Sequence, residues 1–380
     1  MEVYFDNSAT TRVYPEVKDI MIKVMYEDYG NPSSLHLKGV QAEHYIKDSA
    51  DIISKVLKCT PEEIIFTSGG TESNNLAIIG TALAKKRKGK HLITSSIEHP
   101  SVLQVMAFLE KEGFEVTYIS PDETGRVTAE AFADAVREDT ILVSCMHINN
   151  EIGAVQPIAE IAKAVKKKNP DVMVHTDCIQ SFGKIEVNPK KLGVDMLSVS
   201  GHKLHGPKGS GFLYVKKGTL IRPIIYGGGQ QKNMRSGTEN VPAIAGLGTA
   251  VSITMNDMEA KMEKVAGLKD KLISGLTEIR DVYSNSETAP HIASISFTGV
   301  RAEVMLHALE DKGIYVSSGS ACSSNKRRES AVLTAIGLDR DRLESTLRFS
   351  FNETNTEEEV DYAINIIKEL LPVLRHYVRG

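Results

Sequence analysis

Between about residue 50 and residue 218, short runs rich in β-branched and aromatic residues alternate with helical segments. Residues 49–59 fit a helix and 63–68 a strand. Gly69-Gly70 interrupts the run before a helix over 71–88. Strand signals over 91–96, 115–120, 140–147, 172–177, 195–201 and 209–218 follow, with helices over 101–113, 128–140 and 157–170 between the earlier ones. This rhythm implies α/β units around a mostly parallel sheet. In such folds ligands gather at the carboxyl ends of the strands. After about residue 240 the pattern changes. Residues 243–280 read as one or two extended helices, followed by a β-like run over 291–299, a helix over 301–311, a β-like run over 313–318 and a last helix over 356–376. The expected division is a large domain over 13–260 and a smaller α+β domain over 261–380, joined by residues 1–12.

Composition narrows the function classes. The 380 residues suffice for two or three cores without staples. A net charge of -4 argues against a polycation that grips nucleic acid or anionic membrane. The basic runs at 85–90 and 166–168 each close a helix and read as solvated ends favoured by the helix dipole. No apolar run reaches the length that spans a bilayer, and the first residues do not read as a signal peptide. The cysteines, at 59, 145, 178 and 322, are scattered without a CxxC pair, as expected in a reducing cytoplasm.

Several strand ends carry reactive residues, each open to a plainer reading. Lys203, among the glycines of SGHKLHGPKG (200–209), is a surface lysine in a turn or a Schiff-base lysine. Asp177 ends the run 172–177 as a cap, or as the partner of a protonated ring nitrogen such as that of pyridoxal phosphate. Gln180 lies three residues on. Residues 69–73 make either a capped helix start or a phosphate cradle, without the Walker A spacing. His99 and Asn149 each follow a strand, as satisfied loop residues or as cofactor contacts. Arg348 is either half of a structural ion pair or a clamp on a substrate carboxylate. Cys59, Cys145 and Cys178 fit buried, inert positions, whereas Cys322 lies among small hydroxylated residues with charges close behind, a setting for a nucleophilic thiolate. No histidine and cysteine spacing suggests zinc, and no GxSxG turn suggests a serine hydrolase.

Taken in order, the segments YFDNSATT (4–11), YGNPSSLH (29–36), FTSGGTESNN (66–75), EHP (98–100), MHINNEIG (146–153), HTD-x-x-Q (175–180), SGHKLHGPKG (200–209), MRSGTEN (234–240), SSGSAC (317–322) and RFS (348–350) resemble the cysteine desulfurases of the NifS and IscS type. These are class V aminotransferase relatives among the fold-type I pyridoxal-phosphate enzymes. The resemblance implies that Lys203 binds the cofactor covalently, Asp177 pairs with its pyridine nitrogen and His99 stacks on the ring. Asn149 and Gln180 are implied on the ring hydroxyl side. Gly70, Thr71, Ser200 and His202 are implied at the phosphate, with Thr238 from the other subunit of a homodimer. Arg348, helped by Asn31, would take the carboxylate of L-cysteine. Lys203 would move the Cα proton, His99 would carry a proton, and Cys322 would receive the sulfur as a persulfide while alanine leaves. The implied recipient is an iron–sulfur scaffold protein or a tRNA-thiolation sulfur acceptor, with neither membrane nor direct nucleic-acid binding. No resident metal is implied, although Cys322 is placed for a transient iron–sulfur contact.

Three positions depart from the family pattern. Cys178 stands where alanine is common, residues 326–329 replace a more apolar loop exit, and Asn352-Glu353-Thr354 replaces a glycine-basic stretch. The two stretches are expected to bear on partner docking and to lie apart from the core chemistry.

Overall fold

The computed structural model describes residues 1–318 and 330–378. A two-residue strand β1 (Val3–Tyr4) precedes seven strands of one sheet. These are β2 (Ile64–Thr67), β3 (His91–Ser95), β4 (Glu115–Ile119), β5 (Thr140–Ser144), β6 (Met173–Asp177), β7 (Met196–Ser200) and β8 (Gly211–Val215). Their order is β2-β8-β7-β6-β5-β3-β4. Only β8 runs against its neighbours, β2 and β7; every other pairing is parallel. Thr67, Ser95, Ser144, Asp177 and Ser200 therefore end their strands on one edge of the sheet.

Every residue of β5 and β7 is buried, as expected of strands covered on both faces. One face packs Val143, Val174, Leu197 and Phe212 against Ile53, Phe132, Ile161 and Leu247 from four helices. On the other, Leu92, Leu142 and Leu213 pack against Leu76 of the helix Gly70–Lys85 and Val105 of the helix Pro100–Lys111. The segment expected over 243–280 is two helices, Val241–Met255 and Met258–Thr277, broken at Asp257 with φ 53°. The first packs Leu247 and Val251 on the large sheet. The second turns Val265, Leu268 and Leu272 towards a separate cluster. That cluster covers an antiparallel sheet of β9 (Val282–Ser284), β10 (Ile292–Phe297), β12 (Ser317–Ser318) and β13 (Thr346–Ser350), while β11 (Ile314–Tyr315) pairs with β1. Among the described residues no helix is long and apolar enough to cross a membrane.

The helix Leu37–Leu57 crosses Val241–Met255 at close range, with Ser49 donating its hydroxyl to the Ile244 carbonyl at 3.0 Å. A Cβ on Gly248 would lie 2.6 Å from Ser49 Oγ and 3.0 Å from Ser49 Cα. In an open helix, replacing glycine would gain about 1 kcal/mol in propensity. Here overpacking outweighs that gain. Gly248→Val is expected to destabilise the chain by about 1–3 kcal/mol, read as a lower urea midpoint.

Candidate active site

The carboxyl edge of the large sheet collects most of the reactive residues. Asp177, at the end of β6, is buried. Its Oδ1 accepts the Ile179 N–H at 2.9 Å and its Oδ2 accepts the Asn74 amide at 2.8 Å. Burial pushes this carboxyl up, against the pull of those two donors and of His99 and Lys203. A buried carboxylate so placed favours a cation set against it. His99 caps the helix Pro100–Lys111, and its Nδ1 accepts the Ser101 N–H at 3.1 Å. The neutral ring therefore carries its proton on Nε2. Burial lowers its pKa, with Asp177 opposing. Ser101 Oγ lies 2.8 Å from His99 Nδ1 and takes a second Asn74 hydrogen at 2.9 Å. One hydrogen-bond chain thus runs His99–Ser101–Asn74–Asp177. Asn74 and Ser101 were not among the residues singled out from the sequence. Asn74 stands one helical turn beyond Gly70, the only local sign of its position.

Lys203 follows β7, and its Nζ donates to the carbonyls of Ser8 at 2.5 Å and Ala9 at 2.7 Å. Beside it, a cavity of about 410 Å³ is lined by Thr10, Gly70, Thr71, Ser200, His202 and Lys208, among others. Gly69, at φ 145°, turns the chain into the helix Gly70–Lys85, so the first-turn N–H groups border this cavity. At Gly70 a Cβ would meet Ile179 Cδ1 at 2.0 Å. Glycine, free N–H groups, hydroxyls and a lysine make an anion cradle. Burial, then Lys203 and Lys208, bring His202 down to about 4, and its Nδ1 lies 3.2 Å from Thr10 Oγ1.

Arg348, on β13, comes in from the smaller sheet. Its Nη2 donates to Asp6 at 2.9 Å and its Nη1 to the Asn150 carbonyl at 2.8 Å, while the buried Nε has no partner among the described residues. The ion-pair reading of this arginine is thus realised with Asp6. Gln180 donates to the Ser8 carbonyl at 3.0 Å, next to Lys203's contact. Asn149 is spent on backbone, donating to the Ile97 carbonyl at 3.1 Å and accepting from Glu151 and Ile152. Asn31 sits in an exposed turn with its Oδ1 taken by Ser33 N–H. Thr238 is exposed, three residues beyond Arg235, which pairs with Glu72 at 2.8 Å. Cys322 lies outside the described residues.

Cys178 is fully buried beside Asp177, 3.9 Å from His147 Nδ1, and burial pushes its thiol up to about 12. Cys145 is likewise buried, whereas Cys59 is only partly so. In the 352–354 stretch, Glu353 accepts a hydrogen bond from Tyr14 and faces His205, two residues beyond Lys203.

A mostly parallel sheet with a smaller antiparallel one beside it, and an anion cradle, a buried carboxylate and a lysine at one edge, define a fold-type I enzyme. Enzymes of that class work with pyridoxal phosphate. The aminotransferase class-V family matches residues 3–363, and the chain belongs to it and, within it, to the cysteine desulfurases. The chain is 44% identical to a cysteine desulfurase IscS from Methanosarcina thermophila, covering 98% of this chain and 93% of that protein. A solved NifS-like protein superposes with a TM-score of 0.94 at 41% identity, over 98% of this chain and all of the other. SspA in complex with cysteine superposes at 0.83 and 36% identity, over 93% of this chain and 100% of that one.

Glu98, next to His99, supplies a test of the buried electrostatics. Its Oε1 accepts Ser95 Oγ–H at 2.5 Å and Met146 N–H at 2.9 Å, and its Oε2 has no partner among the described residues. Burial raises its pKa from 4.5 to about 8. The folded chain then holds a proton that the unfolded chain has released, so stability falls as pH rises through that interval. Glu98→Gln keeps the Oε1 acceptor and removes the titration. Urea unfolding against pH is expected to show a shallower decline for this variant than for the wild type.

Proposed function

We propose that this chain removes sulfur from L-cysteine with pyridoxal phosphate, releasing L-alanine and leaving a persulfide on Cys322. The observation that carries the assignment is the meeting of Lys203, Asp177 and the Gly70–Thr71 cradle at one sheet edge, in a chain of this family. Bound there, pyridoxal phosphate supplies an electron sink for the charge left on the substrate Cα. The cradle of Gly70, Thr71, Ser200 and His202 would hold its phosphate through N–H, hydroxyl and imidazole groups. Asp177 would set its carboxylate against the ring nitrogen, whose positive charge would offset the cost that burial places on that carboxylate. His99 Nε2–H faces away from its Ser101 contacts and is the proton carrier of the site.

Arg348 would bind the substrate carboxylate, with Asp6 fixing the guanidinium plane. Lys203 takes the Cα proton on Nζ and returns it. The Ser8 and Ala9 carbonyls hold its ammonium between these transfers. Cys322 Sγ attacks the substrate sulfur. The new S–S bond forms as the carbon–sulfur bond breaks, and the electron pair of that bond returns to carbon.

A second copy of the chain completes the unit we propose. Ile22, Met25, Tyr26, Tyr29, Leu35 and Leu37 are all exposed near one another in sequence, an apolar surface that suits a homodimer. Thr238 on its exposed loop then serves the phosphate site of the other subunit. The sulfur passes in the cytoplasm to an iron–sulfur scaffold or a tRNA-thiolation protein.

Intact mass of the cofactor-loaded enzyme tests the assignment. After L-cysteine without reductant, the wild type is expected to gain one or more sulfurs while alanine accumulates, and Cys322→Ala is expected to gain none at that site. Lys203→Ala is expected to lose the visible absorbance of the covalently held cofactor. Alanine without retained sulfur on the wild type would remove Cys322 from the pathway.

A further inference from the structure

The loop that leaves β13 carries Glu353, a carboxylate where the family pattern has a basic residue, and its side chain is only 15% exposed. Its Oε1 accepts the Tyr14 hydroxyl. Its Oε2 lies 3.5 Å from Nε2 of His205. Tyr14 and His205 stack with ring centroids 4.4 Å apart and planes 23° from parallel, so the carboxylate closes over the edge of a two-ring stack. Burial would raise the Glu353 carboxyl, but the facing His205 ring and the Tyr14 hydroxyl outweigh it and hold the group well below the usual range. The buried Lys184 ammonium adds a further favourable charge.

His205 is held in one orientation. A carbonyl can only accept, so Nδ1–H donates to the Arg12 carbonyl at 2.7 Å, which leaves Nε2 as the atom that meets Glu353. The His205 N–H donates to Thr11 Oγ1 at 2.8 Å, and its carbonyl accepts Tyr14 N–H at 3.2 Å. The backbone at His205 is left-handed, φ 59°, a conformation that a side chain other than glycine adopts only when its surroundings enforce it. This residue ends the tight turn after β7: Leu204 N–H and Gly206 N–H both donate to the Gly201 carbonyl, at 3.1 and 2.9 Å. Lys203 is inside that turn. The backbone around Glu353 is fixed in its own right. Lys264 Nζ donates to the Glu353 carbonyl at 2.7 Å, and Asn352 Oδ1 accepts Thr354 N–H at 2.7 Å.

We propose that Glu353 is a positioning residue for the reaction, acting through His205 to hold the turn that aims Lys203. The carboxylate reaches from the smaller sheet, five residues past Arg348, to the turn of the larger one. It thereby sets the base against a substrate gripped by Arg348. The inference rests on the assignment of Lys203 as the group that moves the Cα proton.

Exchange of the Cα proton of L-alanine for deuterium, followed by proton NMR on the cofactor-loaded enzyme in heavy water, reads that step without Cys322. Glu353→Gln keeps an acceptor for Tyr14 and removes the charge facing His205. It is expected to slow the exchange about tenfold, since a misplacement of about 1 Å can cost about a hundredfold and this shift is smaller. The half-saturating alanine concentration should stay within about twofold, because Arg348 is untouched. Tyr14→Phe, which removes one hydroxyl from the same contact, is expected to slow it less. Amide exchange over residues 201–206, measured by mass spectrometry without substrate, should rise in both. Wild-type rates of Cα and amide exchange in both variants would overturn the proposal. A lower melting temperature with an unchanged Cα rate would also overturn it, leaving Glu353 as a structural tie. A wild-type enzyme that exchanges no Cα proton would remove the Lys203 assignment itself, and this inference with it.

Discussion

The ammonium of Lys203 rests on the carbonyl oxygens of Ser8 and Ala9, and the segment that supplies them touches nearly every group at the site. Asp6 pairs with Arg348, and Gln180 donates to Ser8. Thr10 contacts His202, while Thr11 binds the turn at His202 and His205. Asn7 reaches the carbonyl of Ser350 and the side chain of Asn352. One extended stretch of chain thus passes between the two sheets and sets the lysine of one against the arginine of the other. Its hold depends on buried backbone groups, which must find partners wherever water is excluded.

Burial then biases the site electrostatically. The same exclusion of water raises the carboxyls of Asp177 and Glu98 and lowers the imidazoles of His99 and His202. Both effects disfavour charge on isolated groups, so the site is poised to accept charges supplied by a ligand. The cavity beside Lys203 is lined by N–H, hydroxyl, imidazole and ammonium groups, which favour an anion. The carboxylate of Asp177 lies deeper and favours a cation. A ligand with a phosphate at one end and a protonated ring nitrogen at the other satisfies both.

Much of the architecture was readable because it repeats locally. Strand runs such as 140–144 and 196–200 are buried on both faces and so are uninterruptedly apolar or small. Their carboxyl ends share an edge as soon as the pairing is parallel, which placed Asp177, Ser200 and Lys203 together. The sequence left one or two helices open over 243–280, because neither Asn256 nor Asp257 ends a helix by itself; what divides them is that the two helices face different cores. At Asn31 a motif match says nothing of where the side chain finds its hydrogen bonds, which the fold supplies from Ser33.

The chain's own order of residues determined the sheet, its polar edge and the chemical types available there, because those depend on neighbours a few positions apart. Tertiary structure alone decided that Asp6 would meet Arg348 and that Asn74 would bridge Ser101 and Asp177. It also decided that Glu353 would close on Tyr14 and His205. The partners in these sets lie as much as 342 positions apart. Their choice follows from which buried polar groups lack water once two cores have packed. No local pattern encodes that condition.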